Sequence, residues 1–123
     1  MNGYPGGVTT EELLRRAYAA FNARDLDTAV ALMRPDVDWP NAIEGGRVVG
    51  REGVRAYWAA QFAQTDPLAE PARVVRREDG RFAVDVHTVI RDLDGAVIFE
   101  DDVVHVYELR DGLVARMDIE ALG

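Results

Sequence analysis

The stretch VIRDLDGAVIFEDDVVHVYELRDGLVARMD, residues 89–118, decides the fold, because polar and apolar residues alternate in it around two Asp-Gly pairs. Alternation with a period of two is typical of a half-buried β-strand, and Asp-Gly is the strongest short-range signal for a tight hairpin. A third pair, Asp79-Gly80, precedes another run of this kind. The sequence therefore predicts an antiparallel meander with strands at residues 72–78, 82–92, 97–109 and 113–119.

The same alternation predicts which side of the meander faces the core. In the long strand the more apolar face also carries two polar residues, and it comprises Val97, Phe99, Asp101, Val103, His105, Tyr107 and Leu109. The register through Asp94-Gly95 adds alternate residues from 82 to 90 to this face. A two-residue loop at Asp111-Gly112 would turn Asp118 inward. A three-residue loop is favoured, because it turns Asp118 outward and keeps the inner face apolar.

Three helices are predicted before the meander. Thr9 and Glu12 form a capping-box pattern, and apolar residues recur at helical spacing from there to about residue 23. LDTAVALM, residues 26–33, predicts a short helix that Pro35 stops, and residues 51–64 predict a third helix. Between them, VDWPNAIEGGRVVG, residues 37–50, predicts no regular element apart from an edge strand at 37–39. Residues 1–8 are predicted to be a flexible tail, and residues 9–123 a single domain.

Composition narrows the classes of function. The 123 residues include 22 acidic and 14 basic ones, and the net charge of −8 argues against nucleic acid and anionic membranes as partners. With no cysteine and only two histidines, His87 and His105, neither a metal site nor a cofactor is expected. No apolar run is long enough to span a membrane, and the first residues lack a signal-peptide pattern, so the expected location is the cytoplasm.

Three segments carry a resemblance to a known family: AFNARDLDTAVALMRPDVDW (20–39), GREGVRAYW (50–58) and VHVYELRDGLVARMD (104–118). Through them the chain resembles the nuclear transport factor two-like superfamily, in particular its SnoaL-like and ketosteroid-isomerase-like branches. This resemblance implies a cone-shaped α+β fold, in which three N-terminal helices pack on a curved antiparallel sheet and enclose an apolar pocket. Residues 37–46 would lie at the rim of that pocket. Because Gly45 and Gly46 let this stretch fold over the opening, it is predicted to act as a lid.

The isomerase's catalytic positions map only partly onto this chain. By the resemblance, its oxyanion-binding tyrosine falls on Ala17, with Tyr18 next to it. The general-base aspartate falls on Asn41, or on Trp39 if the prolines are matched. Neither Asn41 nor Trp39 can take up a proton at neutral pH, so an isomerase-type base is missing.

The last hairpin matches the SnoaL-like cyclases more closely. Their Val-His pair corresponds to Val104 and His105, and the isomerase's second oxyanion donor falls on the same two positions. The cyclases' base aspartate falls on Ile119, with Asp118 one position away. His105 is therefore the candidate acid/base, since an imidazole can act near pH 7.

The candidate catalytic residues are His105, Asp118 and Asn41, and the candidate ligand contacts are Tyr18, Trp39, Tyr57, Trp58, Phe62, Asp101 and Tyr107. Each also has a purely structural interpretation. Asn41 would close a turn, Asp101 would end a solvated strand, Asp118 would pair with Arg116, and the aromatics would fill the core.

Two functions remain open. The first is a cofactor-independent isomerase, cyclase or dehydratase acting on an apolar carbonyl compound. The second is a non-catalytic ligand-binding or dimeric scaffold protein. A homodimer is expected in either case, because the outer sheet face mixes Val89, Val104 and Val106 with charged residues.

Overall fold

The computed structural model describes residues 9–121, so the tail predicted at residues 1–8 lies outside the described residues. The elements follow in the order α1 (Thr10–Asn22), α2 (Leu26–Ala31), β1 (Met33–Pro40), β2 (Arg47–Val49), α3 (Arg51–Gln64), β3 (Thr65–Arg76), β4 (Phe82–Asp92), β5 (Val97–Arg110) and β6 (Leu113–Ala121). The six strands in this part of the chain form one curved, open sheet in the order β2-β1-β6-β5-β4-β3. The predicted α+β class, with three helices packed on a sheet, is confirmed.

Helices α1 and α3 have the predicted bounds. At the start of α1, the Thr9 hydroxyl oxygen accepts a hydrogen bond from the Glu12 backbone N–H at 3.1 Å, which satisfies one of the unpaired amides of the first turn. Helix α2 ends at Ala31, earlier than predicted, and Pro35 lies inside the following strand rather than stopping the helix. The reason is tertiary packing, because Met33 is buried in the core as the first residue of β1.

Residues 37–50 are more regular than the sequence indicates. Strand β1 continues to Pro40 and pairs antiparallel with β2, with Trp39 opposite Val48. β1 is also not at the sheet edge, because it lies between β2 and β6 and pairs with β6 in parallel. The sheet is therefore mixed rather than wholly antiparallel. The pairing partner of β1 lies near the other end of the chain, so local sequence carries no signal for it.

Strand β3 begins at Thr65, earlier than the predicted start at residue 72. The sequence does not predict this part of the strand, because it contains Pro67 and Pro71, and proline lacks the N–H that a central strand must donate. β3 is an edge strand, where that N–H is not needed. A register shift between Pro71 and Arg73 interrupts its pairing with β4.

The meander has the predicted faces. Strands β4 and β5 pair so that Val84 lies opposite His105 and Phe82 opposite Tyr107. Alternate residues of both strands therefore share the concave face, on which the helices and the buried core lie.

The final hairpin reaches the predicted orientation by a different route. Its turn has two residues, Asp111 and Gly112, and not three, since Arg110 pairs with Leu113. A register shift after Glu108 compensates for the shorter turn. As a result, Asp118 points to the outer face.

Candidate functional site

A cavity of about 460 Å³ lies between the helices and the concave face of the sheet. Helix α1 contributes Tyr18 and Phe21, helix α3 contributes Trp58, and β5 contributes His105 and Tyr107. Among the described residues, no Asp, Glu, Lys or Arg lines the cavity. The walls are therefore apolar apart from a few uncharged polar groups.

His105 ends a chain of hydrogen bonds that begins at Tyr107 and passes through Tyr18. Nδ1 of His105 lies 2.7 Å from the Tyr18 hydroxyl oxygen, and the Tyr107 hydroxyl donates to the Tyr18 hydroxyl oxygen at 2.7 Å. Helix α1 supplies Tyr18 from its buried face, and alternation along β5 puts His105 and Tyr107 on one side of the strand. Three polar side chains thus form a connected chain in an otherwise apolar wall.

Burial sets the ionisation states of this chain. Removal from water disfavours the imidazolium form and lowers the pKa of His105 to about 4. The same effect raises the pKa of Tyr18 and that of Tyr107 well above their usual range. At neutral pH all three groups are uncharged, so the cavity offers hydrogen bonds without a net charge.

Two indoles form the wall next to this chain. Trp39 of β1 and Trp58 of α3 pack edge to face, with ring centroids 5.3 Å apart, and both line the cavity. Neither indole N–H has a hydrogen-bond acceptor within residues 9–121, and no fully buried side-chain nitrogen there lacks a partner. Both indole N–H groups therefore retain accessible surface, and the cavity is where an acceptor can reach them.

The mouth of the cavity is apolar as well. Four of the side chains that line it are large, hydrophobic and exposed, and they are Ile43, Leu68, Phe99 and Ile119. Exposed apolar side chains grouped around an opening are typical of a ligand entrance.

Asn41 lies beside the mouth but does not line the cavity. Its side-chain oxygen accepts hydrogen bonds from the backbone N–H groups of Ile43 and Glu44, at 3.1 and 2.9 Å. It closes the turn between β1 and β2. Tyr57, which lines the cavity, accepts a hydrogen bond from the Ala42 backbone N–H at 3.1 Å and so joins this turn to α3.

The two candidate carboxylates lie away from the cavity. Asp118 on the outer face accepts hydrogen bonds from Arg116 at 2.9 Å and Arg47 at 3.0 Å, and the Arg116 guanidinium lowers its pKa. Asp101 is on the concave side, but it is exposed at the strand end and accepts from the Asp102 backbone N–H. Neither carboxylate is placed to act on a molecule in the cavity.

Phe62 is also absent from the cavity wall. It packs against Phe21, with ring centroids 5.1 Å apart, and its other face is covered by the Arg24 guanidinium. Of the predicted site residues, the cavity brings together Tyr18, Trp39, Tyr57, Trp58, His105 and Tyr107.

Sequence reasoning missed one part of the wall, which is β3, through Pro67 and Ala69. The two prolines at residues 67 and 71 were the available signal for an edge strand. Ala42 and Ile43 of the turn after β1 also line the cavity, and they lie in the stretch 37–46 that was predicted at the rim.

Within residues 9–121, no cluster of three or more His, Cys, Asp or Glu side chains is arranged to hold a metal ion. No helix among these residues is long and apolar enough to cross a membrane.

The fold and the cavity define a class of protein: an α+β domain whose helices and curved sheet surround an apolar space with a partly buried histidine in its wall. The sequence profile of the SnoaL-like domain family matches residues 14–117. The chain belongs to this family, within the nuclear transport factor two-like superfamily. No curated protein matches the chain.

Solved structures agree with this assignment. TerC, crystallised with polyporic acid, is 25% identical, and the match covers 92% of this chain and 91% of TerC with a TM-score of 0.78. A cystatin-fold protein from Novosphingobium aromaticivorans is 29% identical, with 92% and 98% covered and a TM-score of 0.78. A proposed polyketide cyclase from Pseudomonas putida is 24% identical, with 94% and 93% covered and a TM-score of 0.76, and shows the shared fold alone.

Proposed function

We propose that this protein binds a small, uncharged, largely apolar carbonyl compound in the cavity, with His105 as the main polar contact. The observation that carries the proposal is a neutral imidazole in the wall of a cavity that no charged side chain lines. A charged ligand would lose its hydration there without gaining a counter-ion, whereas a carbonyl oxygen gains a hydrogen-bond donor.

The available hydrogen-bond donors support a ligand rich in acceptor oxygens. Within residues 9–121, the indole N–H groups of Trp39 and Trp58 and Nε2 of His105 have no hydrogen-bond partner, and all three residues line the cavity. The crystallisation of TerC with polyporic acid supports a small organic molecule as the ligand of this fold. The net charge of −8 further disfavours an anionic ligand.

A catalytic role follows from the same contact. A donor at His105 stabilises negative charge that develops on a carbonyl oxygen, as in an enolising, cyclising or dehydrating enzyme without a cofactor. Since no carboxylate lines the cavity, the proposed acceptor of the ligand's proton is water that enters the cavity. One observation favours the alternative, a non-catalytic binding protein. Asp118, the carboxylate among the candidate catalytic residues, does not line the cavity, and neither does Asp101. The two functions are separated by experiment below.

Paired ligands of equal shape test the binding proposal. Fluorenone and fluorene differ by a carbonyl oxygen, and both tryptophans of the chain line the cavity, so tryptophan fluorescence reports binding there. We expect fluorenone to bind about 5- to 10-fold more tightly, as one neutral hydrogen bond provides. His105→Leu should remove this preference, and His87→Leu, which changes the histidine outside the cavity, should retain it. Equal affinity for the two compounds, or binding of neither, would contradict the proposal.

Proton exchange separates the enzyme from the binding protein. A catalytic protein should speed the incorporation of deuterium from heavy water next to the carbonyl group of 1-tetralone, measured by mass spectrometry, and His105→Leu should abolish the effect. Binding of 1-tetralone without faster exchange would favour the non-catalytic alternative.

A further inference from the structure

Burial fixes the direction of the hydrogen bonds that join Tyr107, Tyr18 and His105. The Tyr107 side chain is 3% exposed, and within residues 9–121 its hydroxyl has Tyr18 as its hydrogen-bond partner. A buried phenol O–H that donates to no acceptor is costly. Tyr107 must therefore donate to Tyr18, and the oxygen of Tyr18 is the acceptor.

The proton of Tyr18 has a single destination in this arrangement. Its oxygen already accepts from Tyr107, and its other neighbour is Nδ1 of His105, at 2.7 Å. A hydroxyl has one proton to donate, so Tyr18 donates it to Nδ1. Nδ1 then holds the lone pair, and a neutral imidazole must carry its proton on the other nitrogen, Nε2. The reverse direction would leave the Tyr107 proton without an acceptor.

The second ring nitrogen of His105 faces accessible space. Nε2 has no hydrogen-bond partner in the described part of the chain, and no fully buried side-chain nitrogen there is unpaired. Since His105 lines the cavity, the cavity is where Nε2 can meet an acceptor.

We propose that Tyr107, Tyr18 and His105 form a one-way hydrogen-bond chain that fixes the Nε2–H tautomer of His105 and presents this N–H to a ligand oxygen. Tyr18 is the positioning residue that acts through His105, and Tyr107 donates to the Tyr18 oxygen at the start of the chain. The part that concerns the ligand rests on the proposed function, whereas the tautomer does not.

This arrangement changes the role of His105 from base to donor. A general base at Nε2 needs a lone pair on that nitrogen, and the chain puts the lone pair on Nδ1 instead. If Nδ1 were protonated, Tyr18 could no longer donate to it and its hydroxyl would need another acceptor. This requirement also disfavours the imidazolium form of His105. His105 therefore polarises a carbonyl oxygen by donating to it.

Nuclear magnetic resonance of the protein labelled with ¹⁵N-histidine tests the tautomer directly, because protonated and unprotonated ring nitrogens have well-separated shifts. At pH 7 we expect the unprotonated signal at Nδ1 of His105 and the protonated signal at Nε2. His87 is an internal reference, since both of its nitrogens lie within 2.8 Å of carboxylates. A proton on Nδ1 of His105, or an equal mixture of tautomers, would overturn the proposal.

Variants of the two tyrosines test what sets the tautomer. In Tyr107→Phe the Tyr18 hydroxyl still has Nδ1 as its acceptor, so the Nε2–H tautomer should be retained. The double variant Tyr18→Phe/Tyr107→Phe keeps both rings and leaves no hydroxyl unpaired, and it should show a mixture of tautomers. If the double variant kept the single tautomer of the wild type, the tyrosines would not be positioning His105.

Adding fluorenone to the labelled wild type completes the test. We expect the Nε2 signal of His105 to move while the Nδ1 signal stays in place, and movement at Nδ1 alone would contradict the donor role. If fluorenone and other neutral ketones do not bind, the proposed function fails, but the tautomer measured without ligand stands on its own.

Discussion

His105 links the chemistry of the cavity to the stability of the fold. Its pKa is about 4 in the folded protein and about 6.5 when unperturbed. Between these values the unfolded chain binds more protons than the folded one, so the free energy of unfolding rises with pH across this window. We expect acidification from pH 7 to below pH 4 to remove about 3 kcal/mol through this residue, as measured by urea denaturation at each pH.

His105→Gln is the control for this pH dependence. Its amide oxygen can still accept from Tyr18, but it does not titrate, so the slope between pH 4 and 6.5 should become shallower. His87 acts in the opposite sense, because hydrogen bonds to Asp102 and Glu100 raise its pKa. The contribution of His87 to the free energy of unfolding is fully present below its pKa in the unfolded chain, and it is lost as pH rises through its pKa in the folded protein. An unchanged slope in His105→Gln would show that His105 is not neutral and buried.

Residues of the site were predictable from sequence only where local periodicity determines their direction. Alternation along β5 placed His105 and Tyr107 on the inner face, and helical spacing placed Tyr18 toward the core. The hydrogen bond between Tyr18 and His105 joins residues that are 87 positions apart in sequence, and the one between Tyr18 and Tyr107 joins residues that are 89 positions apart. Such contacts depend on how α1 crosses the sheet, which no local pattern describes.

At the scale of elements, the backbone conformation of the Asp111-Gly112 turn depends on residue type. Both residues have positive φ, 54° and 76°, as a type I′ hairpin requires. Gly112→Ala should lower the free energy of unfolding by about 1 to 2 kcal/mol, because a side chain disfavours this conformation. Asp111→Asn should change it by less than about 0.5 kcal/mol, since asparagine tolerates positive φ. Equal effects of the two substitutions, measured by thermal denaturation, would contradict this account.

The turn between β1 and β2 is an internally bonded unit. The Asn41 backbone N–H donates to the Gly46 carbonyl oxygen at 3.0 Å, and the Asn41 carbonyl oxygen accepts from the Gly45 N–H at 2.9 Å. Ile43 at its tip lines the cavity and also an adjacent groove of about 550 Å³ on α3. The turn therefore stands between the two spaces, held to α3 by the Ala42 to Tyr57 hydrogen bond.

Tyr57→Phe tests whether this turn acts as a lid. The substitution removes the acceptor of the Ala42 N–H, and we expect hydrogen exchange at that amide to become about 5- to 10-fold faster. A bound ligand should slow exchange across residues 41–46 in the wild type. Tyr107→Phe, whose hydroxyl bonds elsewhere, should leave these amides unchanged. If Tyr57→Phe also leaves them unchanged, the turn is held by other contacts and is not a lid.

The elements themselves were predicted well where each one carries its own signal. The capping residues and apolar spacing located α1, and the Asp-Gly pairs located the turns of the meander. Residues 33–36 of β1, all of β2 and the first half of β3 were missed. β1 pairs with β6 near the other end of the chain, and Pro67 and Pro71 argue against a strand at the start of β3. The edge position of β3 permits these two prolines, and edge position is a property of the whole sheet.

At the scale of the whole molecule, the outer face of the sheet is the surface that the helices leave uncovered. His87 of β4 lies on this face, with Nδ1 2.7 Å from Asp102 and Nε2 2.8 Å from Glu100. Val89 and Val104 are partly exposed there. Val106, predicted to contribute as well, is 1% exposed and already packed within the protomer, so it is not available to a partner.

We expect this face to form a homodimer, because partly exposed valines interspersed with paired charges suit a protein interface. Val104→Arg should give a monomer by light scattering at micromolar concentration. The protomer should remain folded, since residue 104 lies between Asp85 and Glu120, whose carboxylates can accept the new guanidinium. Val49→Arg, an exposed position on β2 at the sheet edge, is the matched control and should leave the dimer intact. A wild-type monomer, or a dimer that Val104→Arg does not disrupt, would show that the outer face is not the interface.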